Sequence, residues 1–320
     1  MTIKIQPRAT IETITPDEAR EILRNHNKKN RKVRANVVSN YARDMKEGRW
    51  VFNGDTLRFD FEGNLLDGQH RLYACIRAEY PLTMIVVRDL ERETVTTMDK
   101  GTLRRADDDL TMLEGTKNAT HLVATIRAMA DLACGGESRS HMSAPEVHLV
   151  HKLHPSIGMN LLGTSIYGYR ALHTPLSAIN AINHILGQGE QSERFIEVMR
   201  TGIPAWEGCP AHAFRERYAR STMGGGTRMN RTEVFAAAVH AWNLFKAERQ
   251  IKVFKSPLTR PIMAGWNIET LGADPTRHTM KFGDIKKLLV SPVVPVAPQT
   301  GTIQSRANIE TADLLNAAMA

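Results

Sequence analysis

Residues 64 to 74, Asn64-Leu65-Leu66-Asp67-Gly68-Gln69-His70-Arg71-Leu72-Tyr73-Ala74, bring together side chains suited to binding an anion. Leu65-Leu66 reads as a strand and Asp67-Gly68 breaks it. Leu72, Cys75 and Ile76 then resume as one face of a short helix ending near Glu79. A chain that turns from strand to helix at a glycine leaves the first helical N–H groups without backbone acceptors. These donors and the helix dipole favour phosphate, and an arginine beside them adds a planar fork of donors. Asp67 is less expected there, because a carboxylate repels an anion unless it caps the helix, holds a metal that bridges to phosphate, or acts as a base. The same spacing also fits a plain N-cap followed by solvated His70 and Arg71.

The elements that would hold this turn can be read on either side of it. Thr15-Pro16-Asp17-Glu18 has the form of a capping box with proline at the first helical position, opening a helix that runs to about Asn25. Arg24 to Arg34 carries six cations, no acid and three asparagines, a polar loop more than a helix interior. Val37, Val38, Tyr41, Ala42 and Met45 fall on one helical face, giving a second helix over Asn36–Glu47 that Gly48 can stop. Leu57, Phe59 and Phe61 alternate with polar residues as on a half-buried strand. Glu62-Gly63-Asn64 reads as a hairpin turn, and Pro81 to Val87 as a further strand. The strand signal then fades. Thr120–Ala133, Ala144–Leu153, Leu176–Leu186, Glu190–Arg200, Ala211–Ser221 and Thr232–Arg249 are helix-length amphipathic segments. Pro292, Pro295 and Pro298 among valines read as an extended connector, with a last short helix from Thr311. The expected fold class is α+β: an α/β domain over 1–115 with a small mixed sheet, an all-α basic domain over 116–260, and an irregular extension over 261–320.

Asp-Gly-Gln-His-Arg after a hairpin strand resembles the signature of the ParB/sulfiredoxin-like superfamily, in particular its phage and prophage branch. The resemblance covers roughly residues 15 to 115. It includes the Asn30-Arg31 loop, Tyr41-Ala42-Arg43-Asp44-Met45, Gly48-Arg49-Trp50, and Met98-Asp99-Lys100-Gly101 with Arg104. The helical remainder, with Ala241-Trp242-Asn243, is similar to the region C-terminal to this domain in such proteins. The resemblance implies a nucleotide pocket, since the corresponding turn is Gly-Glu-Arg-Arg in ParB, where it helps bind CTP, and Gly-Cys-His-Arg in sulfiredoxin, where it handles ATP phosphates. By position, Gly68 matches the shared glycine, Gln69 stands where those families place Glu or Cys, and His70 and Arg71 fall on the sulfiredoxin His-Arg pair. Cys75 lies a helical turn later and is not the sulfiredoxin cysteine, so thiol repair is not implied. The second ParB box has only a loose echo in Asp99-Lys100 and Arg104-Arg105.

The expected site therefore has Gly68, Gln69, His70 and Arg71 on phosphate, with Arg31 and Arg104 as further cations. Asp67 or Asp99 would hold Mg²⁺, and any catalysis would fall to Asp67, His70 and Arg71. The expected ligand is a nucleoside triphosphate, ATP or CTP.

Composition frames these expectations. With 42% hydrophobic and 24% charged residues the chain can bury ordinary cores, which excludes a disordered or collagen-like polymer. Three scattered cysteines, Cys75, Cys134 and Cys209, give neither a disulfide framework nor a thiolate zinc site. The N-terminus lacks the apolar core of a signal peptide, and no uncharged run approaches membrane-spanning length. The expectation is a soluble, cytoplasmic protein, in the host cytoplasm if phage-encoded, with no membrane partner and with homo-oligomerisation open.

The formal charge of +8 is concentrated in residues 212–260, which hold 10 basic and 3 acidic side chains. Arg228, Arg231, Lys246, Arg249 and Lys252 are the candidates there for nucleic acid, with DNA favoured. Lys246, Arg249 and Lys252 are spaced to share a helix face. His148-x-x-His151-x-x-His154 cannot all face one ion on a helix, because successive members rotate by about −60°. Gly224-Gly225-Gly226-Thr227 lacks the Lys-Ser/Thr of a P-loop, and Asp107–Asp109 fits a helix start. Three functional readings result: a nucleotide-binding protein acting on or with DNA, with metal-assisted hydrolysis or phosphoryl transfer; a non-enzymatic DNA-binding module with a ligand switch or degenerate pocket; and a nuclease, which lacks clustered acidic ligands.

Overall fold

The computed structural model describes residues 6–28, 30–98, 104–135, 142–162, 170–223, 227–257, 261–274 and 282–290. Asp99, the Gly224–Gly226 loop, the Pro292–Pro298 connector and the helix expected from Thr311 lie outside the described residues. Strands β1 (Arg8–Ile14), β2 (Thr56–Asp60), β3 (Leu65–Asp67) and β4 (Leu82–Leu90) form one mixed sheet in the spatial order β1-β4-β2-β3. β4 pairs antiparallel with β1 and parallel with β2, while β2 and β3 form the expected hairpin. β1 pairs with β4 along its whole length although most of its side chains are exposed. Its alternation therefore carried no strong inward stripe to mark it as a strand.

Helix α1 (Pro16–Asn25) starts at the expected capping box: the Glu18 N–H donates to Thr15 Oγ1 at 3.2 Å and Glu18 accepts from the Thr15 N–H at 2.7 Å. α2 (Ala35–Lys46) and α3 (Gln69–Ala78) complete the layer packed on the sheet. Leu57, Leu65, Leu72, Leu82 and Val86 are buried between sheet and helices, consistent with the period-2 and helical patterns that placed them inside.

A second core is built by α4 (Ala106–Glu114), α5 (Ala119–Ala133), α6 (Ala144–Leu153), α7 (Arg170–Ile185), α8 (Gly189–Thr201), α9 (Pro210–Thr222) and α10 (Arg231–Lys246). Phe195 meets Trp242 and Phe245 edge-on with ring centroids 5.5 and 5.3 Å apart. The structure thus has the expected α+β organisation, a small sheet followed by helices.

The expectation of one irregular stretch from 261 onward needs revision. Trp266 is buried in the second core, where its indole N–H donates to the Met129 carbonyl at 2.8 Å, beside the short α11 (Ile268–Leu271). α12 (Phe282–Leu288) instead returns to the first core through buried Ile285 and packs on α3. Both elements span only one or two turns, too short for a periodic signal.

The two cores are joined by a buried ionic network. Glu146 of α6, fully buried, accepts from Arg43 Nη2 at 2.8 Å and from Arg49 Nη2 at 3.2 Å. Asp44 accepts from Arg49 Nε and from Ser143 Oγ, each at 2.9 Å. Burial pushes the Asp44 carboxyl upward, opposed by these bonds. Removing one partner of a buried pair leaves the other charge uncompensated, so Glu146→Ala is expected to lower unfolding free energy by about 3–5 kcal/mol in urea titrations. Glu146→Gln, which keeps a hydrogen-bonding amide there, should cost less.

Candidate functional site

The turn between β3 and α3 depends on Gly68. Its φ of +104° is the left-handed region, and a Cβ built there would lie 2.2 Å from Leu57 Cδ2. The glycine therefore lets α3 start directly over the core. It also occupies the N-cap with no side-chain cap bond, so Asp67 is not the cap, which removes one of the three readings of that carboxylate.

The next two side chains are turned away from solvent. Gln69 is buried and reaches across to the cationic loop, where its Nε2 donates to the Arg31 carbonyl at 2.7 Å and to Asn30 Oδ1 at 3.2 Å. His70 is also buried, and its Nε2 accepts the Arg34 N–H at 3.0 Å. That bond makes Nδ1 the protonated nitrogen of the neutral ring. Burial, reinforced by Arg31, Arg34 and Arg71, pushes the His70 pKa down to about 4. His70 is thus uncharged near neutrality. Such neutrality counts against its expected part in neutralising phosphate, since a cation buried among three arginines is electrostatically disfavoured. Gln69 and His70 act as clamps that lay Asn27 and residues 30–34 over the start of α3.

Arg71 keeps a place at the surface of the turn but is anchored. Its Nη1 donates to the Thr56 carbonyl at 2.7 Å, and its guanidinium lies 3.3 Å from Asp55 and 3.8 Å from Asp67. Asp67 also lies 3.5 Å from Arg58, so its charge is offset from two sides.

A cleft of about 340 Å³ opens over this turn. Its floor is Asp67, Gly68, His70 and Arg71, and its walls are Arg31, Arg34, Asp55 and the Val37–Tyr41 face of α2. Three guanidiniums thus stand against two carboxylates, an excess of positive charge where the first N–H groups of α3 emerge. The Tyr41 ring packs edge-on against Trp50 with centroids 5.0 Å apart. Burial raises the pKa of its phenol, which remains a hydrogen-bond donor.

Of the expected phosphate ligands, Arg31, Gly68, His70 and Arg71 meet in this cleft, Gln69 lies beneath it, and exposed Arg104 does not line it. Arg34, Asp55 and Tyr41 were missed as cleft residues. Arg34 belongs to the cation run and could have been chosen with Arg31. Tyr41 looked like core, and nothing in Asn53-Gly54-Asp55 marks the aspartate.

The basic candidates of the helical domain do not form one face. α10 ends at Lys246, and Glu248 takes a φ of +50°, so the chain leaves the helix before Arg249 and Lys252. Lys246 donates to Gln188 Oε1 at 2.7 Å, while exposed Arg228 and Arg231 stand at the start of α10 and exposed Arg249 lies beyond its end. His148 and His151 both face Glu114, at 3.8 and 3.1 Å, whereas His154 turns to the Leu271 carbonyl. Among the described residues no group of three or more His, Cys, Asp and Glu is placed to hold a metal, and no helix is long and apolar enough to cross a membrane. Asp107 and Asp108 occupy the first turn of α4, where Asp108 accepts the Arg105 N–H at 2.8 Å.

No protein-family model matches this chain, and no curated protein or solved structure matches it either.

Two measurements check this geometry. The His70 ring should titrate near pH 4 by NMR. An unfolded histidine titrates near 6.5, so unfolding takes up a proton between these values. The contribution of His70 to stability is full above pH 6.5 and is lost as pH falls toward 4, by roughly 3 kcal/mol at most. Gly68→Ala should also destabilise the protein strongly in urea titration, because the methyl meets Leu57 and the backbone conformation is strained.

Proposed function

We propose that the cleft over Asp67–Arg71 binds the phosphates of a nucleoside triphosphate, ATP or CTP. The observation that carries this reading is the convergence of Arg31, Arg34 and Arg71, from a loop, the start of α2 and α3, on one helix N-terminus. Arg31 and Arg34 are exposed, so their heads can close on a ligand, while Arg71 is pre-oriented by the Thr56 carbonyl. The resemblance to ParB/sulfiredoxin-like domains points the same way. Asp55 and Asp67 are the carboxylates available to Mg²⁺ arriving with the triphosphate, whose phosphates and waters would complete the shell. Bound there, Mg²⁺ would neutralise phosphate charge.

Ligand binding is favoured over hydrolysis by one observation. The His70 nitrogen that could accept a proton already accepts the Arg34 N–H. The reading is therefore a nucleotide-responsive module rather than a phosphotransferase.

Calorimetry with each of the four ribonucleoside triphosphates and Mg²⁺ tests it. At least one should bind, and Arg31→Ala and Arg34→Ala should each weaken that binding tenfold or more, about 1.4 kcal/mol, with unchanged melting temperature. Arg71→Ala is the poorer test because it also releases Thr56. Absence of binding by the wild-type chain, or affinity unaffected by both exposed-arginine variants, would overturn the reading. Phosphate release abolished by Arg34→Ala would instead favour an enzyme.

A further inference from the structure

A second and larger concavity, about 660 Å³, lies in the helical part of the chain, remote in sequence from the nucleotide cleft. One wall is a face of α9 carrying Arg217 and Arg220. The other is the segment after α10, Lys252 to Phe254. From His212 to Ser221 that α9 face extends about 14 Å, so the concavity is a groove more than a hole. Cations stand on both walls. Arg217, Arg220 and Lys252 have no carboxylate partner among the described residues, and all three are exposed. Among the described lining residues the one carboxylate, Glu216, lies 3.2 Å from Arg215 Nη1. Ala213, Met229 and Phe254 supply an apolar lining between the charged rims, and Val253, 70% exposed, adds an uncovered apolar side chain.

We infer that this groove binds single-stranded nucleic acid, with phosphodiester groups on Arg217, Arg220 and Lys252 and base faces on the apolar lining. A groove with cations on both walls and an apolar floor matches a strand that carries charge along its edge and flat apolar faces inside. A duplex keeps its bases stacked within and offers this groove only a convex row of phosphates. The positive charge also continues along the chain past the groove: exposed Arg228 lies between the lining residues Thr227 and Met229, and exposed Lys255 follows Phe254. Such an extension suits a polymer with regularly repeated charges, whereas an isolated anion would leave most of these cations unused. The groove thus draws on the basic stretch of the sequence but shares only Lys252 with the helix face that spacing alone proposed.

Fluorescence anisotropy with a labelled oligothymidylate of twelve nucleotides, a duplex of equal length and polyglutamate tests the assignment on the full chain. The single strand should bind more tightly than the duplex at the same salt concentration, and polyglutamate should bind weakly. The triple variant Arg217→Gln/Arg220→Gln/Lys252→Gln should lose at least tenfold in affinity. Its slope of log affinity against log salt should shrink by about 2, given roughly 0.7 per phosphate contact on single strands. Val253→Glu, an exposed position where folding is not at stake, should weaken binding independently. Arg34→Ala should leave oligothymidylate binding intact, which separates this groove from the nucleotide cleft. Unchanged affinity in the triple variant, tighter binding of the duplex, or equal binding of polyglutamate would overturn the inference.

Discussion

The hydrogen bond from the Arg34 backbone N–H to His70 Nε2, backed by the Gln69 amide on Arg31 and Asn30, is the constraint on which the rest of the cleft depends. A loop with several cations and no internal acid repels itself and gains little from folding alone. Two buried side chains from the first turn of α3 give its backbone polar groups partners and bring its arginines over a helix N-terminus. The electrostatic cost is borne by the histidine, which stays neutral with a pKa of about 4. A motif that looks in sequence like a set of ligands is thus largely a set of struts. Gly68 makes the turn, Gln69 and His70 position the loop, and Arg71 is left to meet the cleft while holding β2.

α2 connects this site to the helical part of the molecule. Its beginning is fixed by His70, its middle presents Val37 and Tyr41 to the cleft, and Arg43 and Asp44 near its end enter the buried network with Glu146 and Ser143 of the α6 start. A rigid helix clamped at both ends couples the position of the cleft wall to the packing of α6. The network contributes little net stability despite its burial, since buried ion pairs regain little beyond their desolvation cost.

Much of this was legible in the residues. The Thr15 capping box, the Leu57/Phe59 alternation and the strand-glycine-helix turn each derive from local chemistry, and the structure reproduces them. β1 was not legible because its partner, β4, is distant in sequence and its own side chains are mostly exposed. The roles of Gln69 and His70 were hidden for a related reason: whether a polar side chain meets solvent or a loop depends on a chain segment some forty residues earlier. The end of α10 also escaped, since spacing continues through Lys252 while the backbone departs at Glu248. Periodicity reports which faces could form, whereas termination is decided by local backbone conformation.

In the proposed function the clamped loop and the first turn of α3 together enclose a nucleotide. Amide hydrogen exchange of the full chain, with and without saturating nucleoside triphosphate and Mg²⁺, tests it most directly. Added protection is expected, confined to residues 31–41 and to the first turn of α3. Protection elsewhere with none at these segments, or no change with any triphosphate, would contradict it.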